Sequence, residues 1–408
     1  MRAPLGLMML GSLQLMACTW AGEDLTALAD RVNYTNVYAT GNVACGRSSE
    51  GKIYCWGGTA NLLGTIQVTD TCEVFGDLGG TDYECTKRPL LVWNENDLRF
   101  NTMAFGLQHA CAIGSDGTTW CWGDNQMGER GSTPVAGQTN AVQVPYRSDL
   151  FSDAHPASVV SAGADATCAI AVDGTTWCWG QPSVLTLAGD AVKGAPGCTN
   201  GFCVVLPTQV ETTSHYVALG VGRSHACGLT GAGAIECWGS DASGQLGDNQ
   251  MHPNCYDQMP CSPMAVPVAY PGPYVSLTVS DDSTCAAGTD GFLFCWGGGG
   301  PKSPMKVPVT GVGPIVESVI INAGNQYECV LDRNGAISCN GAAPNYEVFT
   351  KVVSTSHYQH LAMGSGFTCA VTTGGDIDCW GMNSLGQLGT GTTMNSMTPV
   401  RVSNPYRD

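Results

Sequence analysis

Cysteines at a repeating spacing are the residues of this sequence that most clearly indicate chemistry. The 408-residue chain contains 21 cysteines, and fourteen of them form seven pairs whose two members are ten positions apart. A glycine lies four residues before the second cysteine of every pair, and another lies two residues after it. Paired cysteines can form a disulfide or supply thiolate ligands to a metal ion. The seven pairs are Cys45 and Cys55, Cys111 and Cys121, Cys168 and Cys178, Cys227 and Cys237, Cys285 and Cys295, Cys329 and Cys339, and Cys369 and Cys379.

The segment between two paired cysteines predicts a β-hairpin. In CAIGSDGTTWC, residues 111–121, the loop would be Ser115–Gly117, a type I turn followed by a glycine with positive φ. This register places the two cysteines opposite each other, about 4.5–5.5 Å apart at Cα, which a disulfide tolerates. The same register applies to every pair, with the loop glycine at Gly51, Gly117, Gly174, Gly233, Gly291, Gly335 and Gly375.

Zinc binding is the alternative to disulfide formation. Fourteen repeat cysteines do not divide into four-ligand sites, and no close Cys-x-x-Cys pair occurs, so we favour disulfides. Each would close a loop of about 11 residues and contribute ~3 kcal/mol. Ten disulfides would indicate an oxidising, extracytoplasmic location. The three pairs outside the hairpins are Cys72 and Cys85, Cys198 and Cys203, and Cys255 and Cys261.

The N-terminus predicts export and a lipid anchor. A short basic start precedes an apolar stretch, Leu5–Met16, and the following Leu-Met-Ala-Cys resembles a bacterial lipobox. We therefore predict a signal peptide at residues 1–17, lipidation of Cys18, a tether at residues 18–33, and a single domain at residues 34–408. The protein would be a cell-envelope lipoprotein, at the outer membrane or cell surface, held in the membrane only by its acyl chains. The alternative is ordinary cleavage, for example after Ala21, and secretion.

The charge of the chain argues against nucleic-acid binding. The net charge is −17 although only 12% of the residues are charged, and the sequence offers no basic stripe. A negative field repels phosphate backbones. The same acidity would also keep an exported, glycine-rich protein soluble, and we expect a monomer.

The repeats predict an all-β fold, a single seven-bladed β-propeller of four-stranded antiparallel blades. Successive first cysteines lie 40 to 66 residues apart, near the spacing of propeller blades. Tryptophan follows the second cysteine in six repeats, whereas Asn340 replaces it in the sixth, so that blade should pack less tightly. We expect the C-terminal strand, near residues 398–402, to complete the blade that holds Cys45 and Cys55, which would hide the last free edges.

The repeat resembles that of the regulator of chromosome condensation family. The pattern of the repeat is an apolar strand, Gly, Cys-Ala-hydrophobic, a Gly turn and Cys-Trp-Gly, and the resemblance covers residues 34–405. Ser243–Asn249 (SGQLGDN) and Leu385–Gly391 (LGQLGTG) match the Gly-Gln-Leu-Gly loop of that repeat, and Asp124–Gly128 is a weaker copy. The resemblance implies a seven-bladed propeller, and the cysteine-rich form is similar to exported bacterial members. The nuclear exchange activity of the family's namesake is not expected of an exported, acidic chain, because fold does not imply function.

The first four repeats carry surplus residues after Trp-Gly, where they would lie on one side of the disc. These segments hold all three extra cysteine pairs and the candidate binding residues Trp93, Tyr146, Phe202 and Tyr256. Loops positioned by a rigid scaffold commonly carry function, although neutral variation in loop length is the alternative.

The sequence offers little support for catalysis. It contains no nucleophile elbow, zinc-protease, P-loop or dinucleotide motif, and His109 and His225 share one repeat position, which favours a structural role. We expect no cofactor, although the acidic loop Asp77–Glu84 could hold calcium. The predicted function is a protein- or glycan-binding scaffold rather than an enzyme. The alternative is an extracytoplasmic hydrolase or glycan-processing enzyme.

Overall fold

The computed structural model describes thirty strands and no α-helix within the ranges that it covers. These ranges are residues 31–58, 62–64, 70–73, 82–92, 97–131, 142–147, 156–181, 192–193, 202–255, 259–309, 312–322, 326–340 and 349–406. The predicted signal peptide and Cys18 lie outside them. In chain order the strands are β1 (Tyr34–Thr40), β2 (Val43–Ser48), β3 (Ile53–Gly58), β4 (Asp70–Glu73), β5 (Asp82–Leu91), β6 (Phe100–Phe105), β7 (His109–Gly114), β8 (Thr119–Gly123), β9 (Val142–Arg147), β10 (Ala157–Ala162), β11 (Ala166–Ala171), β12 (Thr176–Gly180), β13 (Val192–Lys193), β14 (Phe202–Gln209), β15 (Tyr216–Val221), β16 (His225–Thr230), β17 (Ile235–Ser240), β18 (Cys261–Pro267), β19 (Tyr274–Val279), β20 (Ser283–Gly288), β21 (Leu293–Gly297), β22 (Met305–Val307), β23 (Ile315–Asn322), β24 (Gln326–Asp332), β25 (Ile337–Cys339), β26 (Thr350–Lys351), β27 (Tyr358–Gly364), β28 (Phe367–Thr372), β29 (Ile377–Gly381) and β30 (Ser396–Arg401).

The strands form seven antiparallel sheets, which confirms the predicted propeller. Blade 1 is β1–β5, blade 2 is β6–β9, blade 3 is β10–β14, blade 4 is β15–β18, blade 5 is β19–β22, blade 6 is β23–β26 and blade 7 is β27–β30. In each blade the first four paired strands follow one another in the chain, apart from the added edge strands β4 and β13, which pair outside β5 and β14. The first strands contact one another in cyclic order, and β27 contacts β1, so the blades close into a ring around these inner strands.

The hairpin register is the predicted one in all seven blades. The two repeat cysteines of each blade face each other, as Cys111 faces Cys121. Their Cα atoms lie 4.0 to 4.1 Å apart, slightly closer than predicted. Every loop glycine has a φ between +76° and +86°, which confirms the turn type inferred from the glycine spacing.

The predicted closure of the ring by the C-terminal strand is wrong. Strand β30 pairs with β29 and completes blade 7, whereas β5 already occupies the fourth position of blade 1. The physical reason is that every repeat supplies all of its own strands, so the fourth position of blade 1 is already filled. The ring closes instead through contacts between blades 7 and 1. Tyr34 N donates to Gly375 O at 2.7 Å, and the hydroxyl groups of Tyr54 and Tyr406 lie 2.5 Å apart.

The hydrophobic core lies between the blades. Seven clusters of buried residues each combine side chains from two consecutive blades, including blades 7 and 1. The tryptophan after the second cysteine fills six of these interfaces. At the interface of blades 5 and 6 its place is taken by Asn340, a buried side chain whose Oδ1 accepts a hydrogen bond from Glu328 N at 2.7 Å. Phe349 lies in the same interface.

Candidate functional site

The antiparallel strand order gives the disc two different faces. One face carries the turns between first and second strands and the connections between third and fourth strands, and we call it the loop face. The opposite face carries the glycine hairpins. On the loop face, turns of neighbouring blades are joined directly: Leu107 N donates to Ala164 O at 3.1 Å, and Arg223 N donates to Asp281 O at 3.0 Å. The surplus residues of the first four repeats belong to connections on the loop face.

The two Gly-Gln-Leu-Gly loops of the loop face have the same internal hydrogen bonds. In blade 4, Gln245 Oε1 accepts from Ser243 N at 2.7 Å, and in blade 7, Gln387 Oε1 accepts from Leu385 N at 2.8 Å. A side-chain oxygen two residues after the tryptophan-glycine pair also accepts from the leucine amide of each loop. Hydrogen bonds within each loop therefore fix its conformation independently of a binding partner.

Four connections of the loop face are each joined to the next blade by a buried tryptophan. The indole Nε1 donates to a backbone carbonyl of the preceding blade's connection. At Gly64, Gly247 and Gly389 the glycine that follows the carbonyl also lies against the indole, and a Cβ at Gly247 would lie 2.5 Å from Trp296 Nε1. The four bonds are Trp56 to Gln387 O at 2.8 Å, Trp122 to Leu62 O at 2.9 Å, Trp179 to Glu129 O at 2.8 Å and Trp296 to Gln245 O at 2.9 Å. The loop face is thus positioned by the interfaces between blades.

His109 and His225 also connect neighbouring blades. His109 Nε2 lies 2.8 Å from Thr167 Oγ1, and His225 Nε2 lies 2.9 Å from Thr284 Oγ1. Both rings are buried, and burial lowers the pKa of each to about 3, so both are neutral at pH 7. This arrangement matches the predicted structural role. Sequence reasoning missed the threonine partners, although a threonine directly precedes the first cysteine of the repeat that follows each histidine.

The structure pairs most of the predicted cysteines. Nine pairs have their sulfurs at disulfide-bonding distance, and they are Cys45 with Cys55, Cys72 with Cys85, Cys111 with Cys121, Cys168 with Cys178, Cys227 with Cys237, Cys255 with Cys261, Cys285 with Cys295, Cys329 with Cys339, and Cys369 with Cys379. In the tenth predicted pair, Cys203 lies in β14, and Cys198 is outside the described residues.

Most of these cysteines lie inside the protein and cannot contact a partner. Cys178, Cys237 and Cys379 are the second cysteines of blades 3, 4 and 7, and each is fully buried in an interface between blades. Cys85 in β5 is also fully buried, and its pairing with Cys72 joins this strand to the edge strand β4. These buried cysteines therefore connect strands within a sheet and pack between blades.

The two described pairs outside the hairpins constrain the loop face. Cys72 and Cys85 hold the connection of blade 1 against its own sheet. Cys255 and Cys261 close the connection of blade 4, where Cys255 N also donates to Met259 O at 3.0 Å. Each pair lies in one of the surplus segments, so it restricts the backbone of a long connection.

The four predicted binding residues are not brought together in the described part of the chain. Tyr146 lies in β9 opposite Cys121, and Phe202 lies in β14 opposite Lys193. Trp93 and Tyr256 lie outside the described residues, as do most residues of the acidic loop Asp77–Glu84. A binding surface formed by these aromatic residues stays a prediction.

Exposed methionines are the apolar feature of the loop face that sequence reasoning missed. Met251 is 95% exposed in the connection of blade 4, and Met394 is 73% exposed in that of blade 7. Met397, at the start of β30, is 91% exposed. Methionine is flexible and polarisable, and it is used on surfaces that adapt to protein partners. The available signal was the presence of 14 methionines, several of them beside the Gly-Gln-Leu-Gly loops.

The inner strands line a cavity of about 300 Å³ that contains an acid–base pair. Tyr38, Phe105, Glu317 and His360 are among its lining residues, and His360 Nδ1 lies 3.6 Å from Glu317 Oε2. The hydrogen bond to Glu317 raises the pKa of His360. Both side chains are partly exposed, so the pair can bind a polar group or exchange a proton with solvent.

Comparison with known proteins identifies the repeat. Models of the regulator of chromosome condensation (RCC1) repeat match residues 101–129, 358–387 and 375–407. The chain therefore carries repeats that match the RCC1 repeat. It is 24% identical over 325 residues to the ultraviolet-B receptor UVR8 of Arabidopsis thaliana, covering 74% of this chain and 69% of the receptor. It is 25% identical over 353 residues to the human E3 ubiquitin-protein ligase HERC2, covering 80% of this chain but only 7% of the ligase.

Solved RCC1-type structures share the fold. Human WBSCR16 superposes with a TM-score of 0.68 at 18% identity, covering 87% of this chain and 94% of that one. Prp20p of Saccharomyces cerevisiae, described with its binding properties to Gsp1p and histones, superposes with a TM-score of 0.66 at 17% identity, covering 93% and 89%. Among the described residues of the RCC1 propeller, no helix is long and apolar enough to cross a bilayer.

Proposed function

We propose that this RCC1 propeller is an extracytoplasmic, lipid-anchored protein-binding disc that contacts its partner with the loop face. The observation that carries the proposal is the combination of exposed methionines and cysteine-paired connections on that one face. A partner would meet apolar side chains held on a constrained backbone, and pre-ordering of a binding loop reduces the entropy lost on association.

Family behaviour supports binding rather than catalysis. RCC1-like propellers are in general binding and regulatory proteins. Two structures of the yeast family member concern its binding to other proteins, namely Gsp1p and histones in one and Kap60 in the other. The partner of this chain would differ from a chromatin component, because a net charge of −17 disfavours association with nucleic acid. We propose a monomer that binds a protein of the cell surface, with a glycan as the alternative ligand.

The cysteine chemistry supports an oxidising location. Cytosolic proteins rarely contain structural disulfides, and each hairpin here brings two sulfurs within bonding distance. The proposed acyl chains on Cys18 would hold the domain at the membrane through the tether. Mass mapping of the intact protein tests both points, since free thiols at the hairpin cysteines or an unmodified Cys18 would contradict this part of the proposal.

The binding face is tested by substitutions of highly exposed side chains. One variant carries Met251→Ser, Met394→Ser and Met397→Ser on the loop face. The matched control carries Val172→Ser and Val353→Ser on the hairpin face, where these side chains are 70% and 83% exposed. Wild type and control should enrich the same protein from envelope extracts, and the loop-face variant should lose it. Equal enrichment by all three would refute the loop face as the site, and enrichment abolished by glycosidase treatment would favour the glycan alternative.

A further inference from the structure

The Gly-Gln-Leu-Gly loops of blades 4 and 7 are equivalent residue by residue. Asp241 corresponds to Asn383: Asp241 Oδ1 accepts from Leu246 N at 3.2 Å, and Asn383 Oδ1 accepts from Leu388 N at 2.8 Å. Further along, Asn249 has a positive φ of +58°, as Gly391 does at +80°. The two loops therefore offer an internal comparison in which one side chain differs at a defined place.

The comparison shows that Asp241 lacks a donor that its counterpart uses. Asn383 Nδ2 donates to the carbonyl oxygens of Thr392 and Met394, at 2.9 Å each. The corresponding carbonyls of blade 4 are those of Gln250 and His252. A carboxylate has no N–H group, so it cannot satisfy them.

Asp241 is only 8% exposed, and its second carboxylate oxygen accepts no hydrogen bond from the described residues. Burial raises the pKa of this carboxyl group. A carboxylate this little exposed, at a place where the fold elsewhere puts an amide donor, is stabilised by a proton or a cation.

Two further metal-ligating side chains of the same loop meet Asp241. His252 Nε2 lies 2.9 Å from Asp248 Oδ2, and these side chains are only 12% and 9% exposed. One ligand atom from each of the three residues lies within 4.8 Å of the others. Two carboxylates and one imidazole thus converge in a nearly closed space.

We propose that Asp241, Asp248 and His252 bind one divalent transition-metal ion, with Zn²⁺ as the best fit. Zinc takes imidazole nitrogen and carboxylate oxygen at about 2.0–2.2 Å, often with three protein ligands and one further position. Calcium prefers six to eight oxygen ligands, and imidazole suits it poorly. The ion would satisfy the second oxygen of Asp241 and fix the blade 4 connection beside Cys255 and Cys261. This proposal is independent of the partner of the loop face.

The deciding variant is Asp241→Asn, because it installs the side chain that blade 7 uses. The asparagine can donate to the loop carbonyls, so the loop should fold without metal, and zinc binding should be lost. His252→Ala removes a different ligand and keeps the test valid if the first variant folds poorly. His215→Ala, which removes an exposed histidine outside the cluster, is the control for adventitious zinc binding.

The measurement is isothermal titration of ZnCl₂ into tag-free, chelator-treated protein, with CaCl₂ titrated in parallel. Wild type and His215→Ala should bind one zinc per chain, at least about tenfold more tightly than Asp241→Asn and His252→Ala. Zinc should also raise the unfolding midpoint of wild type but not of Asp241→Asn. Equal zinc affinity in all four proteins, no zinc binding by wild type, or tighter binding of calcium than of zinc would overturn the proposal.

Discussion

The hydrogen bonds from tryptophans to the neighbouring blade can be tested by comparing two tryptophans of this protein. Trp296 and Trp238 occupy the same repeat position, and each is 1% exposed. Trp296 Nε1 donates to Gln245 O, whereas Trp238 Nε1 is buried with no acceptor among the described residues. Replacing each by phenylalanine removes the same atoms from an equally buried site, so the cavity contribution should be similar, about 1–3 kcal/mol.

The two substitutions should differ by the hydrogen bond. Trp296→Phe leaves the buried carbonyl of Gln245 without this donor, which costs about 1–3 kcal/mol. Trp238→Phe leaves no acceptor of the described residues unsatisfied and removes a buried N–H that has no partner among them, which offsets part of its cavity cost. We therefore expect the free energy of unfolding to fall by about 2 kcal/mol more in Trp296→Phe than in Trp238→Phe.

The assay is equilibrium denaturation in guanidinium chloride under non-reducing conditions, followed by far-ultraviolet circular dichroism and checked for reversibility. Trp122→Phe and Trp179→Phe also remove a hydrogen bond to a backbone carbonyl, so they should lose about as much stability as Trp296→Phe. If Trp238→Phe lost as much stability as these three, the carbonyl bonds would contribute nothing specific, and packing alone would hold the blades together.

Three further predictions address the backbone, the C-terminus and pH. Gly123→Ala should destabilise the protein by more than about 2 kcal/mol, because φ is +90° and a Cβ would lie 2.3 Å from Gln108 O. Gly41→Ala, whose Cβ would have no atom within 4 Å, should cost about 1 kcal/mol or less in the same denaturation assay. Deleting residues 403–408 removes the Tyr406 contact and should lower the melting temperature slightly. Deleting residues 396–408 removes all of β30 and should lower the melting temperature much further. Equal shifts in calorimetry would contradict the pairing of β30 with β29. Burial raises the pKa of Glu328 to about 8 from an ordinary 4.5, so the folded state holds this proton after the unfolded state has lost it. The contribution of this proton to stability is complete below pH 4.5 and falls as pH rises towards 8. Glu328→Gln should therefore become more stabilising relative to wild type between pH 5 and pH 8, as measured by denaturation midpoints.

The features that sequence reasoning predicted correctly are those fixed within one hairpin. The spacing from Cys111 through Gly117 to Cys121 determines turn type, register and the facing of the two cysteines, because all three depend on a few adjacent dihedral angles. Seven repetitions of that unit then leave a closed ring as the arrangement that buries both sheet faces. The blade count followed for the same reason.

The blade that the C-terminal strand completes was predicted wrongly, because a repeating pattern does not show at which strand of the ring the chain begins and ends. A circular array can begin at any strand, and the same hairpins result whether β30 joins blade 7 or blade 1. The decision rests on whether Asp82–Leu91 forms a fourth strand of blade 1, and the surplus length of that repeat obscured this strand.

The candidate site was less predictable because it depends on contacts between repeats. The pairing of His109 with Thr167 and the exchange of Asn383 for Asp241 become visible only when consecutive repeats are aligned and read across their interface. Aromatic side chains in the surplus segments attracted attention because such residues dominate binding sites in general. The described loop face instead exposes methionine.

The position of the inter-blade carbonyls explains how the ring tolerates connections of such different lengths. The acceptors Glu129, Gln245 and Gln387 each lie seven residues after the tryptophan of their own blade, at Trp122, Trp238 and Trp380, and Leu62 lies six residues after Trp56. Each bond is therefore made near the start of its connection. Residues inserted after that point change the loop face without altering the interface that supports it. Contacts between blades and the shape of the loop face can thus vary independently, which is the property that a binding scaffold requires.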